Sequence, residues 1–282
     1  MNGFINVCKP VGMTASDVVV KLRRLTNSKT GHLGTLDPGA AGVLPVAVGK
    51  GTKLFNFLIE KTKVYRAFFT FGSTTDTLDS YGVLTEKTNI IPSSGDIVDA
   101  LKGFLGETSQ MPPQYSAKSV NGVRAYKLAR KGETIELTSK KVNITKFELI
   151  NQVDDKTFVF DIECGAGTYI RSLARDLAEK LNTKAYMSAL IRLSTGVFDI
   201  KNSFTLDELQ TDIEKKLLPL DYPLQNIEKI CFDQSFRKML VNGVKFEYLS
   251  FDGFKRIYCE NDFFGLASCS DKRLILEYNL IL

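Results

Sequence analysis

Apolar residues recur along the chain with two periods, and the switching between them predicts a mixed α and β protein. Strict alternation over residues 63–71 sets Tyr65, Ala67, Phe69 and Phe71 on one face of a strand, and residues 43–48 read as another. Behind Thr14 and Ser16 the spacing predicts a helix carrying Val18, Leu22 and Leu25 inward; Ile97, Ala100, Leu101, Phe104 and Leu105 form a second helical stripe. Strand alternation resumes over residues 142–150 and 158–162. Ile170, Leu173, Ala174, Leu177, Ala178 and Leu181 then have the full spacing of a buried helix face. Thr205 with Glu208 makes a capping box for a last helix. The run Leu218-Pro-Leu-Asp-Tyr-Pro223 breaks the pattern, and beyond it short strand-like runs, Asn242-Gly243 and Asp252-Gly253 turns and a run over residues 274–278 suit a small β domain. The expected architecture is α+β: a mixed, largely antiparallel sheet domain over residues 1–221 and a small barrel-like β domain over 222–282.

Composition narrows the class. With 282 residues, 44% hydrophobic and 24% charged, the chain is ordinary globular material without repeats or low-complexity tracts. Its apolar runs fall short of a membrane span, and its first ten residues lack the plan of a secretory signal, so a soluble cytoplasmic protein with no membrane partner is expected. Five cysteines, widely spaced and without a CxxC pair, indicate reduced thiols rather than a disulfide framework or zinc knuckle. The single histidine, His32, removes multi-histidine metal sites and argues against metal catalysis. A net charge of +5 names no partner by itself, but its distribution is uneven. Residues 18–36 carry Lys21, Arg23, Arg24 and Lys29 and no acid; residues 115–131 carry Lys118, Arg124, Lys127, Arg130 and Lys131 interleaved with Tyr115 and Tyr126, again with no acid. Such stretches can meet the phosphates and unstacked bases of RNA together, or simply face solvent.

Two segments hold candidate chemistry. In Gly31-His-Leu-Gly-Thr-Leu-Asp-Pro-Gly-Ala-Ala-Gly-Val-Leu44 four glycines and a proline surround one carboxylate, Asp37, which Pro38 biases toward extended backbone. The same Asp-Pro-Gly is also a common turn signature in which the carboxylate merely bonds its own backbone. In Glu163-Cys-Gly-Ala-Gly-Thr-Tyr-Ile-Arg171 a strand passes through two glycines into a helix with Thr168 as its expected N-cap. Arg171 then falls in the first turn, where the helix dipole disfavours a cation unless an anion lies close: a carboxylate from elsewhere, a ligand phosphate, or only solvent. Neither GxGxxG spacing nor a Walker lysine supports a nucleotide loop, and no GxSxG elbow supports a hydrolase triad.

Gly31-His-x-Gly-Thr-Leu-Asp-Pro-x-Ala-x-Gly42 resembles the active-site motif of the TruB-type pseudouridine synthases, the bacterial tRNA pseudouridine-55 synthases. Four more segments agree in order: Lys9-Pro-x-Gly-x-Thr14; Tyr65-Arg-Ala; Met111-Pro-Pro-Gln-Tyr-Ser-Ala-Lys118 with Gly122-Val-Arg-Ala-Tyr126 and Leu128-Ala-Arg130, the RNA-contacting insertion of residues 111–135; and Gly167-Thr-Tyr-Ile-Arg-Ser-Leu173. The resemblance implies an isomerase that converts the T-arm loop uridine of tRNA to pseudouridine, without cofactor, metal or guide RNA. It implies Asp37 as catalytic carboxylate, Arg171 as its pairing arginine, and Tyr65 as the tyrosine that stacks on the target base and takes a proton. Leu190 would wall the pocket, Tyr169 would contact substrate, and His32 would fill the gap left when the base flips out. Lys9 and Asp79, the latter in Thr75-Asp-Thr-Leu-Asp79, would support the substrate, and the tail would be a PUA-like RNA-binding domain. Within Leu190-Ile-Arg-Leu-Ser-Thr-Gly196 the chain departs from the family's doubled arginine, placing Ile191 and Leu193 there and putting the RNA grip of that segment, expected as a helix, in question. A guide-RNA-dependent relative would carry longer terminal extensions, and a non-catalytic RNA chaperone would lack Asp37, Tyr65 or Arg171; an added tRNA-folding role stays open, and a monomer suits a compact RNA partner.

Overall fold

Alternation decides the centre of the molecule. The computed structural model describes residues 1–59, 61–115, 119–120, 123–124 and 137–281. A nine-stranded sheet is built from β1 (Gly3–Lys9), β2 (Thr30–His32), β3 (Ala40–Val48), β4 (Lys63–Phe71), β5 (Gly106–Gln110), β6 (Lys140–Gln152), β7 (Thr157–Cys164), β8 (Ala185–Thr195) and β9 (Phe198–Asp199). The path runs β1-β3-β8-β4-β7-β6-β5, with β2 added to β3 and β9 to β8. Among the described strands of this sheet only β3 and β8 pair in parallel, Leu190, Ile191 and Arg192 lying alongside Ala40, Ala41 and Gly42. The mixed, largely antiparallel sheet is the one the pattern predicts, and β4 occupies the predicted residues with Tyr65, Ala67, Phe69 and Phe71 buried.

Helices α1 (Ala15–Thr26), α2 (Ser94–Leu101), α3 (Ile170–Lys180) and α4 (Leu206–Thr211) join one core with this sheet, Val18, Leu22, Ile97, Leu173 and Leu209 meeting Tyr65, Phe69 and Phe71. Burying a side chain of this size contributes about 1.5–3 kcal/mol. Helices as short as α2 and α4 are marginal alone, so packing holds them, helped by capping boxes at Ser93 with Asp96 and Thr205 with Glu208. In α1, capped by Thr14 with Asp17, the inward stripe is Val18, Val19, Leu22 and Thr26; Leu25 is exposed, contrary to expectation. Leu105 is exposed too. There α2 ends at Leu101, a 3-10 turn reaches Phe104, and Gly106 at φ 87° turns the chain into β5.

The tail forms a separate five-stranded sheet from β10 (Lys229–Phe232), β11 (Phe246–Glu247), β12 (Lys255–Cys259), β13 (Asp262–Ser270) and β14 (Arg273–Asn279), in the order β10-β12-β13-β14-β11. It packs its own core around Phe232, Ile257, Phe264 and Leu274. The expected barrel does not close through its backbone among the described residues: β10 and β11 share no ladder, and the curled sheet instead brings the Phe232 and Phe246 rings to 5.5 Å. A short helix, Arg237–Val241, follows α4, so α4 is not the last; Asn242 and Gly243 end it, Gly243 at φ 64°. The Leu218–Pro223 region is not a loose connection. Leu218 exchanges backbone hydrogen bonds with Phe4 at 2.8 and 2.9 Å, and Leu218, Leu220 and Leu224 pack with Phe4, Leu266 and Leu280.

No described helix is long and apolar enough to cross a membrane. Of the expected RNA-contacting insertion, residues 116–118, 121–122 and 125–135 lie outside the described residues, Lys118, Tyr126, Lys127, Arg130 and Lys131 among them.

Candidate active site

The parallel contact of β3 with β8 leaves a cleft where the loop before β3 faces the start of α3. At that contact Gly42 has φ 102°, and a Cβ there would collide with the Arg192 carbonyl oxygen and stand 2.9 Å from its nitrogen, so only glycine lets the strands approach. The cleft, of about 360 Å³, is walled by the Gly34-Thr-Leu-Asp37 loop and the Gly167-Thr-Tyr-Ile-Arg171 segment, floored by Tyr65, Met187 and Leu190, and rimmed by Lys63 and Lys140. That volume lies within the range of small-ligand sites, about 300–1,000 Å³.

Asp37 opens a turn in which its carbonyl accepts from Ala40 N–H at 3.0 Å, with Pro38 and Gly39 between. Its carboxylate goes to Arg171, Nη2 to Oδ2 at 3.0 Å. The pair is unequally shielded: the Arg171 side chain is 9% exposed, whereas that of Asp37 is 40% exposed at the cleft mouth. Arg171 sits at the second position of α3, where a cation calls for an anion, and it has two. Its Nη1 also meets Asp79 Oδ2 at 3.3 Å, and the guanidinium donates to the carbonyls of Thr77 and Tyr115, each at 3.0 Å. Asp79 is turned into place by Leu78, whose φ of 60° is costly for a residue with a side chain.

Thr168 is not the N-cap of α3. Tyr169 takes that position: its C=O accepts from Leu173 N–H at 3.2 Å, and Gln110 at the end of β5 meets both its N–H, Oε1 accepting at 2.8 Å, and its C=O, Nε2 donating at 3.1 Å. Thr168 instead donates to Gly165 O at 3.1 Å. Nearby, burial pushes the Cys164 thiol up to about 11, so it stays protonated and inert near neutrality.

Beneath the loop lies Arg192, fully buried, donating Nε to Val43 O at 2.7 Å and Nη1 and Nη2 to Thr35 O and Gly34 O at 3.2 Å each. It thereby anchors the backbone just before Asp37. Residues 185–195 are thus the strand β8 rather than a helix, and the lone arginine points into the core while Ile191 and Leu193 flank it. Arg192 also sets the charge of the floor. Burial raises the Tyr65 phenol above its usual range, and the adjacent guanidinium opposes that rise. Burial and then Arg192 push His32 down, leaving a neutral imidazole whose Nδ1 is buried without a partner.

Lys9 is fully buried, its Nζ donating to Pro10 O and Met13 O at 2.7 Å each. Burial lowers its pKa to about 8, Asp37 opposing and Arg192 assisting. Between pH 8 and the unfolded value of 10.5 the unfolded chain therefore binds a proton that the folded chain does not, and raising pH through that window favours folding. The melting temperature of the wild type relative to Lys9→Met should rise between pH 8 and 10; a difference that stays flat would remove this assignment.

Of the residues singled out from sequence, Asp37, Tyr65, Tyr169, Arg171 and Leu190 line the cleft. Asp79 reaches it through Arg171, while His32 on β2 and Lys9 at the end of β1 are not among its lining residues. Sequence reading missed Gln110, Arg192 and Thr77; only Arg192, a charge at an inward position of an apolar stretch, left a visible signal. A second cavity of about 260 Å³, lined by Leu33, Pro45, Lys61, Phe198 and Leu224, does not include these carboxylates. Among the described residues no group of three or more His, Cys, Asp and Glu side chains could hold a metal ion.

Residues 22–170 match the family model of the TruB family pseudouridylate synthase N-terminal domain, and residues 171–228 that of the tRNA pseudouridylate synthase B C-terminal domain. A tRNA pseudouridine synthase B of Clostridium perfringens is 40% identical over 292 residues, spanning 100% of this chain and 99% of the relative. One from Clostridium acetobutylicum is 39% identical, covering 96% and 97% of the two chains, and one from Staphylococcus saprophyticus is 41% identical, covering 87% and 85%. Among solved structures, an H/ACA RNP bound to a substrate RNA containing 2'-deoxyuridine and a Cbf5-Nop10-Gar1 complex each contain a chain matching at a TM-score of 0.75. Identity is 21% and 22%, over 99% of this chain and 85% of theirs; the likeness is one of fold.

Proposed function

The chain belongs to the TruB family of pseudouridylate synthases, and from that membership we propose that it isomerises the uridine at position 55 in the T-arm loop of tRNA to pseudouridine, with Asp37 as the catalytic carboxylate. The observation that carries this reading is the half-exposed Asp37 carboxylate held by a buried arginine at the mouth of a cleft floored by Tyr65 and Leu190. The reaction breaks the bond from ribose carbon 1 to base nitrogen 1 and makes one to base carbon 5. A proton leaves carbon 5 and one arrives at nitrogen 1, so atoms and charge balance without a cofactor. An anion fixed at the cleft mouth suits addition to the ribose or to the base ring. The floor of Tyr65, Met187 and Leu190 suits confinement of the free base while it turns.

Tyr65 serves first as a stacking surface, since its phenol is held protonated by burial; Arg192 beside it favours the charged form when a proton must be taken from carbon 5. The target base must leave its stack to reach this floor, at a cost of a few kcal/mol, and His32 fills the vacated space. Tyr169 contacts substrate, and Lys9 and Asp79 support it. The chain divides into a catalytic domain over 1–221 and a PUA-like RNA-contacting domain over 222–282, the latter supported by its separate five-stranded sheet and core. The enzyme acts as a cytoplasmic monomer on tRNA without guide RNA, with tRNA-folding help as a second activity; relatives spanning the whole chain at about 40% identity carry the tRNA name.

The experiment is pseudouridine formation in an unmodified T-arm stem-loop by the purified chain in EDTA, with binding of that RNA measured alongside. Conversion supports the proposal. Binding without conversion replaces it with the chaperone reading, and neither binding nor conversion means the substrate is wrong.

A further inference from the structure

Beside the turn that presents Asp37 stands an aromatic side chain that the reaction as described does not use. Tyr81 is 62% exposed, the one tyrosine among the exposed large hydrophobics of the described residues. Its ring nevertheless has a fixed seat. A Cβ at Gly39 would stand 2.6 Å from Tyr81 Cε2 and 2.9 Å from Cδ2, so the ring edge rests on the bare backbone of the Asp37–Ala40 turn. Gly39 does not have the positive φ that would demand glycine; what it supplies is room for that ring.

The loop carrying Tyr81 is cross-braced. Thr75 and Thr77 hydroxyls donate to Asp79 O at 2.7 Å and Asp79 Oδ1 at 2.6 Å, and Asp76 Oδ1 accepts from Val83 N–H at 2.8 Å. The Tyr81 N–H itself donates to Asp79 Oδ1 at 3.0 Å, and Asp79 meets Arg171, which holds Asp37. Tyr81 is therefore tied to the Asp37 carboxylate by a short chain of polar contacts. A ring so held gives up little freedom on binding, which is what makes tyrosine a good contact for a flat partner.

Charge selects the partner. Asp76 and Asp79 belong to the Tyr81 loop, Arg171 is already engaged by Asp37 and Asp79, and the cleft cations Lys63 and Lys140 turn instead to the Ile59 and Lys61 carbonyls and to Gly167, so a phosphate at Tyr81 is disfavoured. A base presents a neutral π-face that a tyrosine ring can cover. We propose that Tyr81 is a second stacking side chain, holding an unpaired nucleobase that flanks the target uridine; this rests on the reading of the cleft as a uridine site. Tyr65 would take the flipped base inside, and Tyr81 its neighbour at the mouth.

The test is steady-state kinetics on the unmodified T-arm stem-loop, with direct binding of the same RNA, for wild type, Tyr81→Phe and Tyr81→Ala. Base stacking lost on alanine substitution predicts a rise of about 10-fold in KM and Kd for Tyr81→Ala, with kcat within about twofold and melting temperature unchanged. Tyr81→Phe, keeping the ring, should match the wild type within about twofold. Stem-loops made abasic at each loop position in turn then identify the partner: at one flanking position wild type and Tyr81→Ala should bind equally. An alanine variant with unaltered KM and Kd, a phenylalanine variant as weak as alanine, or a penalty surviving every abasic change would overturn the proposal. A wild type that binds but forms no pseudouridine would instead fail the catalytic reading, and the Kd series would still decide on Tyr81.

Discussion

Asp37→Asn is expected to lower pseudouridine formation in the T-arm stem-loop by at least about 10⁴-fold while leaving RNA binding within a few-fold of wild type. The amide matches the carboxylate in shape, so the Asp37 to Ala40 turn and its Pro38 are undisturbed. Arg171 keeps Asp79 and the carbonyls of Thr77 and Tyr115, and α3 stays anchored. Only the anion at the cleft mouth is lost. An amide is a poor nucleophile, and no other described cleft-lining side chain carries a carboxylate that could replace it. Single-turnover product analysis with enzyme in excess, paired with a binding isotherm, reads the two quantities separately. Residual conversion within about tenfold of wild type would move the chemistry away from Asp37.

That prediction could be framed from sequence because two local signals survived folding. The Asp-Pro-Gly turn forms, and its carboxylate is delivered outward to Arg171. The arginine at a helix start demanded an anion, and the fold supplies one. What local reasoning could not supply was the choice between Asp37 and Asp79, since both contacts depend on how β8 brings distant loops together. The resemblance named both positions; periodicity named neither.

The misreadings have physical causes of the same kind. Strand β8 escaped because its register shifts between Met187 and Ala189 and again between Arg192 and Ser194, which breaks the two-residue alternation that betrayed β4. Arg192 accordingly read as what remains of the family's doubled arginine when it is the floor's cation. Leu105 extended an apolar stripe past the point where Gly106 redirects the backbone, and Leu25 lost its inward place because Val19 and Thr26 set the buried face. Gln110 caps Tyr169 across the sheet, a nonlocal bond with no local signature, so Thr168 was the natural but wrong choice. Strands with unbroken alternation and helices with local caps were legible; contacts made through the parallel β3 and β8 junction were not.

Arg171→Leu is expected to cost at least about 10²-fold in turnover and about 1–3 kcal/mol in stability, the half-exposed Asp37 being screened by solvent. Two carboxylates converge on one guanidinium at 3.0 and 3.3 Å, and removing it takes away the cation they share. The part-buried carbonyls of Thr77 and Tyr115 lose their donor as well, at about 0.5–1.5 kcal/mol each. Relief of the cation at the helix start returns only a few tenths of a kcal/mol. Arg171→Lys keeps the charge but not the fork, so it should recover stability more fully than turnover. Adding Asp79→Asn separates repulsion from positioning: in the leucine background it should restore melting temperature without restoring product, whereas alone it should weaken both modestly. If Arg171→Leu turns over near the wild-type rate while folded, the arginine is only a brace between loops, and Asp37 needs no partner for its chemistry.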